Sequence, residues 1–342
     1  MIGDVLTTSI LFEALKEKYP NAELHYLINT HTYPVVENNP FITKFIFFTP
    51  EIEKSKRQFY RFLKHIKSQK YDAVVDVYGK LSSHLISWFA NADQKIGYDK
   101  VQSRFIFNSS LKRRKSPVHN ASLAIENRML LLEPLDVPFN VYEPKIYLRS
   151  SETNRAKIYL ESQGIQIDQP LFMISVLGSS LAKTYPFEYM AKLLDTIVKS
   201  EPRAQILFNY IPKQEPDARA IYDACETNTQ QHIYFDVYGK SLREFLAITA
   251  HCTALIGNEG GANNMAKALN IKTFTIFSPY LNKQNWFGER ETKDHMAIHL
   301  SDYVSYDDTD KKLAKKDPES YYLKLKPEFI IPELQSFLSN FE

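Results

Sequence analysis

Apolar side chains recur along this chain in two alternating rhythms. Short unbroken apolar runs of the kind that form buried parallel strands are separated by longer stretches with apolar residues three and four apart, the spacing of a helix face. Near the start, Val5–Tyr19 carries Ile10, Leu11, Ala14 and Leu15 as one stripe and is closed by Pro20. Glu23–Ile28 reads as a strand, and Phe41–Phe48 as either a strand or a hydrophobic loop. Phe59, Phe62, Leu63 and Ile66 form the apolar face of Glu51–Gln69, a segment otherwise polar and basic. Tyr71–Gly79 is a buried strand ending in a glycine turn, Leu81–Ala90 the helix after it, and Ala121–Leu132 a further helix. Pro134, Pro138 and Pro144 then lead through a short strand, Lys145–Leu148, to a helix start near Thr153, and this proline-spaced segment marks a domain boundary.

The second half repeats the alternation more cleanly. Strands are predicted at Leu171–Leu177, Gln205–Tyr210, His232–Phe235, Thr253–Ile256 and Lys272–Phe277. Helices are predicted at Glu188–Ser200, Glu215–Glu226, Ser241–His251 and Ala262–Leu269, the third opened by the capping-box pattern Ser241-Leu-Arg-Glu244. The amphipathic segment from Pro327 packs as a closing helix. Two consecutive αβ-repeating halves imply an α/β protein of two doubly wound domains facing a cleft, with ligands at the carboxyl ends of the strands. The domains expected are residues 1–150, 151–326 and the closing helix 327–342.

Composition narrows the class. At 342 residues, with 44% hydrophobic and 24% charged residues, the chain is globular and long enough for two cores. A net charge of +2 makes no global case for nucleic-acid binding, so any basic function is local. Two cysteines, Cys225 and Cys252, argue against a disulfide framework. No apolar run approaches the ~18 residues of a spanning helix, and the start has no signal-peptide layout. A soluble, cytoplasmic protein is expected.

Four places carry candidate chemistry. The stretch Leu255-Ile-Gly-Asn-Glu-Gly-Gly-Ala-Asn-Asn-Met holds three of the chain's 10 glycines between a strand and a helix N-terminus. Unpaired amides and the helix dipole make such a turn an anion site, although a plain tight turn gives the same local pattern. Gly178-Ser-Ser with Lys183-Thr-Tyr-Pro186 is a second strand-end loop, with hydroxyls and a lysine, or an ordinary solvated loop. Asp4 sits at a helix start, where it is either a cap or a catalytic carboxylate. Lys112-Arg-Arg-Lys115 is a basic run in the loop Asn108–His119, either a solvated face or a contact for an anionic acceptor or membrane leaflet. Trp286, beyond the last strand of the glycine stretch, either stacks on a ligand or packs.

Gly3-Asp-Val-Leu-Thr-Thr8, Tyr71-Asp-Ala-Val-Val-Asp-Val77, Ile96-Gly-Tyr98, Lys183-Thr-Tyr-Pro186 and Ile256-Gly-Asn-Glu-Gly-Gly261 before Met265-Ala-Lys-Ala268 together resemble glycosyltransferase family nine, the bacterial ADP-heptose:lipopolysaccharide heptosyltransferases. The resemblance covers nearly the whole chain. It implies the GT-B fold, two Rossmann-like domains with the acceptor held mostly by the first and the sugar nucleotide by the second. It also implies inverting transfer without a metal or any cofactor beyond the nucleotide-sugar donor, at the cytoplasmic face of the inner membrane. The family's Gly-Asp matches Gly3-Asp4, which makes Asp4 the candidate base. Lys183 would meet the leaving diphosphate, with Gly260 and Gly261 amides and Ser179, Ser180 and Asn264 as further donors. Glu259 would bind sugar or ribose hydroxyls, and Lys112, Arg113, Arg114 and Lys115 a phosphorylated lipid-saccharide acceptor.

Three features depart from the family pattern. Asn264 stands where the family usually has His, and Glu259 where it usually has Asp. Family members also carry a strand before Gly-Asp, at the centre of the first sheet. This chain begins at Met1-Ile2, so strand edges left open there are expected. Two other readings of the same fold stay open at this point: a sugar-nucleotide epimerase, and a binding protein that kept the site without the chemistry.

Overall fold

The computed structural model describes residues 1–101, 104–288 and 294–341. The chain forms two compact units, Met1–Lys145 with Gln284–Arg290 and Ile146–Lys283 with Glu291–Glu342. The boundary therefore falls at Lys145, ahead of residue 150. The closing helix belongs to the second unit, and Glu342, its expected last residue, lies outside the described residues.

The second unit contains α7 (Ser150–Ser162), β6 (Leu171–Ser175), α8 (Phe187–Ser200), β7 (Gln205–Phe208), α9 (Glu215–Ala224), α10 (Thr227–Gln231) and α11 (Leu242–Thr249). There follow β8 (Ala254–Asn258), α12 (Gly261–Ala268), β9 (Lys272–Ile276), β10 (His295–Ile298), α13 (Asp308–Lys316), α14 (Pro318–Lys324) and α15 (Pro327–Leu338). Its five strands are all parallel in the order β10-β9-β8-β6-β7. Beyond β7, Ile233 adds a single parallel bridge to Ile206, which is all that forms of the strand expected at His232–Phe235. Successive residues of β6 point to opposite faces. Phe172 and Ile174 meet Met190, Leu194 and Ile197 of α8 and Ile330, Leu334 and Phe337 of α15. Leu171 and Met173 meet Leu160 of α7, Ile248 of α11 and Ala266 of α12. Both faces are covered, which is why these strands read as unbroken apolar runs.

The first unit contains α1 (Ile2–Thr8), α2 (Ile10–Lys18), β1 (His25–Asn29), β2 (Lys44–Phe48), α3 (Pro50–Lys54), α4 (Lys56–Ser68), β3 (Ala73–Asp76), α5 (Leu81–Phe89), β4 (Gln94–Tyr98), β5 (Ser109–Leu111) and α6 (Leu123–Leu130). Its parallel strands form two sheets, β1-β2 and β3-β4-β5. An apolar cluster rather than a hydrogen-bonded ladder links them: Ile46 and Phe48 of β2 pack with Phe62, Leu63 and Ile66 of α4 and Ile86 of α5, with Leu27 and Val74 at its edge.

Several expected elements change. The helix over Val5–Tyr19 is broken at Ser9, whose hydroxyl donates to Leu6 O at 2.7 Å. Glu51–Gln69 divides at Ser55, which turns extended and caps α4 by accepting from Gln58 N–H. Lys145–Leu148 forms no strand; its backbone is tied to Ala268 O through the Ile146 amide. Within the loop expected at Asn108–His119, residues 109–111 are the edge strand β5.

Candidate functional site

In the second unit β6 and β8 are adjacent, yet the chain leaves β6 towards β7 on one side and enters β8 on the other. The strand order thus reverses between them, and ligands of open α/β sheets bind outside the carboxyl ends of strands at such a point. The two loops singled out by their residues, 176–186 after β6 and 257–261 after β8, both start there.

Their contact is set by glycine and by one buried amide. At Gly257, φ is +124°, and a Cβ would lie 2.5 Å from Ser175 O, so only glycine fits. A Cβ on Gly178 would stand 2.1 Å from Lys183 O. Asn258, fully buried, donates through Nδ2 to Ser175 O (3.0 Å) and Val176 O (2.9 Å), and accepts from Tyr185 N–H at 2.7 Å. Thr184 Oγ1 accepts from Gly178 N–H and donates to Ser180 O, while Ser278 Oγ donates to Ala182 O from the end of β9. Lys183 is thus carried on a loop pinned to three strand ends.

Gly260 and Gly261 are under no such constraint. A Cβ on Gly260 would meet nothing within 4 Å, and one on Gly261 only Met265 Cε at 3.9 Å. Gly260 has φ 164°, an extended value open to any residue. Neither conformation nor internal packing requires glycine at these positions, and both leave the space in front of the turn open. Helix α12 starts here with no side-chain cap, leaving its first amides and the positive end of its dipole for an anion. Lys183 Nζ lies 3.1 Å from Glu259 Oε1. Glu259 is only 8% exposed, and this ion pair is not aligned as a hydrogen bond, so Oε1 is a buried carboxylate oxygen still short of a donor. Ser179 and Ser180 are exposed on the Lys183 loop, and Asn264 is half-buried in the first turn of α12. Asn263, which drew no notice in the sequence, is buried; it donates to Thr275 Oγ1 and leaves Oδ1 without a partner. Tyr322 of α14 is also buried near Glu259. Burial pushes its hydroxyl far above the ordinary phenol range; Ser278 opposes the shift and the Glu259 charge adds to it. Ser241 caps α11 by accepting from Glu244 N–H.

In the first unit, Asp4 lies in the first turn of α1 but accepts no capping hydrogen bond there. Its Oδ1 instead accepts from Arg128 Nη2 at 3.0 Å. Arg128, 7% exposed, also donates to Thr8 Oγ1, Asp4 O and Ala124 O, so one buried guanidinium joins α6 to α1. The sequence held a signal for it: an arginine interrupting the apolar stripe of α6.

The basic run divides. Arg114 is committed to Glu126 (3.1 Å) and Glu133 (3.4 Å). Burial acts to raise the Glu126 carboxyl, but the His119 and Val118 amides and the Arg114 guanidinium outweigh it and hold the group below the usual range. The Arg113 guanidinium lies 3.9 Å over the Tyr98 ring. Lys112 and Lys115 are exposed. Arg114 is therefore part of the fold of this loop, which leaves Lys112, Arg113 and Lys115 facing solvent. Trp286 is half-buried in the segment that groups with the first unit. No group of three or more His, Cys, Asp or Glu able to hold a metal is found among the described residues.

A doubly wound parallel sheet whose strand order reverses at β6 and β8, preceded by a second parallel α/β unit, matches the GT-B architecture of glycosyltransferases. A model of glycosyltransferase family 9 (heptosyltransferase) matches residues 59–301, and the chain belongs to that family. Among curated relatives it is 23% identical over 295 residues to lipopolysaccharide heptosyltransferase 1 of Campylobacter coli, covering 84% of each chain. It is 24% identical over 291 residues to lipooligosaccharide heptosyltransferase 2 of Haemophilus influenzae, covering 81% of each. Of solved structures, the family 9 glycosyl transferase of Veillonella parvula superposes with a TM-score of 0.83 at 17% identity, over 99% of this chain and 95% of that one. E. coli ADP-heptose lps heptosyltransferase II gives 0.71 at 16% identity, over 99% and 96%.

Proposed function

We propose that this glycosyltransferase moves heptose from ADP-heptose to a hydroxyl of a phosphorylated lipopolysaccharide-core saccharide, with inversion and without a metal. The observation that carries the reading is the pair Gly260 and Gly261, open to an incoming group at the uncapped start of α12, with the Lys183 ammonium beside them. In the transfer, a bond forms between the acceptor oxygen and the anomeric carbon while the bond from that carbon to the diphosphate oxygen breaks. The acceptor proton passes to the Asp4 carboxylate, which Arg128 holds through Oδ1. The diphosphate leaves as ADP, and its growing charge is met by the α12 amides and by Lys183. Ser179, Ser180 and Asn264 add neutral donors. Lys183 turning to the diphosphate frees Glu259 Oε1 to accept from a sugar or ribose hydroxyl. Lys112, Arg113 and Lys115 serve the acceptor's phosphates, and peripheral contact with an anionic membrane surface belongs to the same reading.

The test is a transfer assay with ADP-heptose and a panel of UDP-sugars on a heptose-deficient core acceptor, read by mass spectrometry and by the anomeric configuration of the product. Heptose-dependent mass gain with inverted configuration is expected from ADP-heptose alone. Transfer from a UDP-sugar, epimerised donor, or saturable binding without turnover would each overturn the proposal.

A further inference from the structure

In the second unit, Glu259 Oε1, Asn263 Oδ1 and the Tyr322 hydroxyl are buried without a hydrogen-bond partner among the described residues. The first two only accept; the phenol alone brings a proton. Tyr322, 1% exposed on α14, packs its ring edge-on against Tyr185, with centroids 6.0 Å apart. Tyr185 is tied at both ends. Its hydroxyl donates to Leu325 O at 2.7 Å, just past α14, and its amide donates to Asn258, the residue before Glu259. Helix α14 is thereby seated against the arm that carries Lys183 and against the end of β8. Two groups with free lone pairs act on the phenol there, the Ser278 hydroxyl and the Glu259 carboxylate. Ser278 has committed its own proton to Ala182 O and offers a neutral oxygen, whereas Glu259 offers an anion. A hydrogen bond to an ionised acceptor is about twice as strong as a neutral one, so Glu259 is the better partner. In the empty site that bond is not made, because Glu259 Oε1 faces the Lys183 ammonium at 3.1 Å. A buried hydroxyl left without any partner is uncommon and calls for a reason.

We infer that Tyr322 is a positioning residue for donor binding: when Lys183 turns to the diphosphate, the phenol donates a hydrogen bond to the Glu259 carboxylate and holds it, charged, towards the donor's hydroxyls. The inference rests on the proposed function and adds to it a residue from the C-terminal helices. Glu259 is 8% exposed, so water does not replace the ammonium when it moves. A buried carboxylate that loses its only cation is strongly destabilising, and that cost would be subtracted from donor binding. A hydroxyl already in place on the protein removes most of it. Burial keeps the phenol far above its ordinary range, so the proton stays on tyrosine and the bond is O–H to carboxylate. Tyr322 thus acts on the donor through Glu259, without touching it.

Tyr322→Phe keeps the ring and removes the hydroxyl. In the full chain without ligand it should melt within about 2 °C of the parent, because no hydrogen bond is lost there. In a Lys183→Ala background Glu259 has no ammonium to face and turns to the phenol, so the same change should lower Tm by about 5 °C. A tyrosine that only packs would shift Tm equally in both backgrounds. Calorimetric titration with ADP gives the second readout. Tyr322→Phe should raise Kd about 10- to 100-fold, but no more than about twofold in a Glu259→Ala background. Equal Tm changes in the two backgrounds, ADP affinity within twofold of the parent in folded Tyr322→Phe, or an undiminished effect in Glu259→Ala would each overturn the inference. Lys183→Ala with parental ADP affinity would overturn it together with the donor reading. If Lys183→Ala loses affinity and Tyr322→Phe does not, the donor reading stands and only the role of Tyr322 falls.

Discussion

Replacing Gly260 by Ala separates a site built for a ligand from one built for packing. The added methyl meets no atom within 4 Å, and the extended backbone at Gly260 suits alanine, so folding should be indifferent: a stability change within about 0.5 kcal/mol. Under the proposed function the same methyl stands where the diphosphate approaches the α12 amides. Displacing one charge-assisted hydrogen bond costs about 1.5–3 kcal/mol, which is roughly a 10- to 150-fold rise in Kd. Gly257→Ala supplies the opposite control. There the methyl lies 2.5 Å from Ser175 O with φ at +124°, so the fold itself should lose stability before any ligand is added. Titration calorimetry with ADP and ADP-heptose, paired with thermal unfolding, reads both effects. If Gly260→Ala melts like the parent and binds ADP-heptose within twofold of it, the diphosphate does not sit at this turn.

Asp4→Asn should lower turnover by about 10²–10⁴ while donor affinity holds, and unchanged turnover would remove Asp4 from the mechanism. Arg128→Met should lower kcat by a smaller factor with donor KM unchanged, since Arg128 holds the Asp4 carboxylate; thermal unfolding tells this from a loss of folded protein, and an unchanged kcat in a folded variant would remove Arg128 from that role. Lys183→Ala should weaken ADP binding and slow transfer together, and parental kinetics would count against its contact with the diphosphate. Glu126→Gln should destabilise the chain by up to about 3 kcal/mol at neutral pH, because the half-buried Arg114 and two amides lose the buried anion they share. Glu126 has its carboxyl depressed in the folded state, so its contribution is full above the unfolded value near pH 4.5 and lost as pH falls through the folded one. The gap in Tm between parent and variant should therefore narrow progressively as pH falls below about 4.5, and a gap that stays constant or widens on acidification would refute the assignment.

The second unit was largely legible because a strand covered on both faces is written as a continuous apolar run, and its turns fall at glycines. β4 was harder: Gln94, Lys95 and Gly97 dilute its pattern, and Gly97 is there because the Phe107 ring fills the space of a Cβ, at 2.4 Å. β5 spans three residues, too few for any period. Lys145–Leu148 alternates like a strand, yet it finds a helix-end carbonyl instead of a sheet edge. At the site, the Lys183 loop and the glycine turn were visible as residues, but their adjacency depends on strand order. Arg128 lies 124 positions from Asp4, and no local pattern links an arginine in one helix to a carboxylate that far away. Asn258 looked like one more turn former; only its burial shows that it serves two chain segments at once.

That shared carboxamide makes the lysine-bearing arm and the helix entrance a single rigid part. For the arm to swing out, three hydrogen bonds at Asn258 must break together and leave a polar group stranded among apolar neighbours, at about 1–3 kcal/mol for each group. If the diphosphate leaves here as proposed, its receptor is already assembled when the chain folds, and nucleotide sugars should differ in how long they stay bound more than in how fast they arrive.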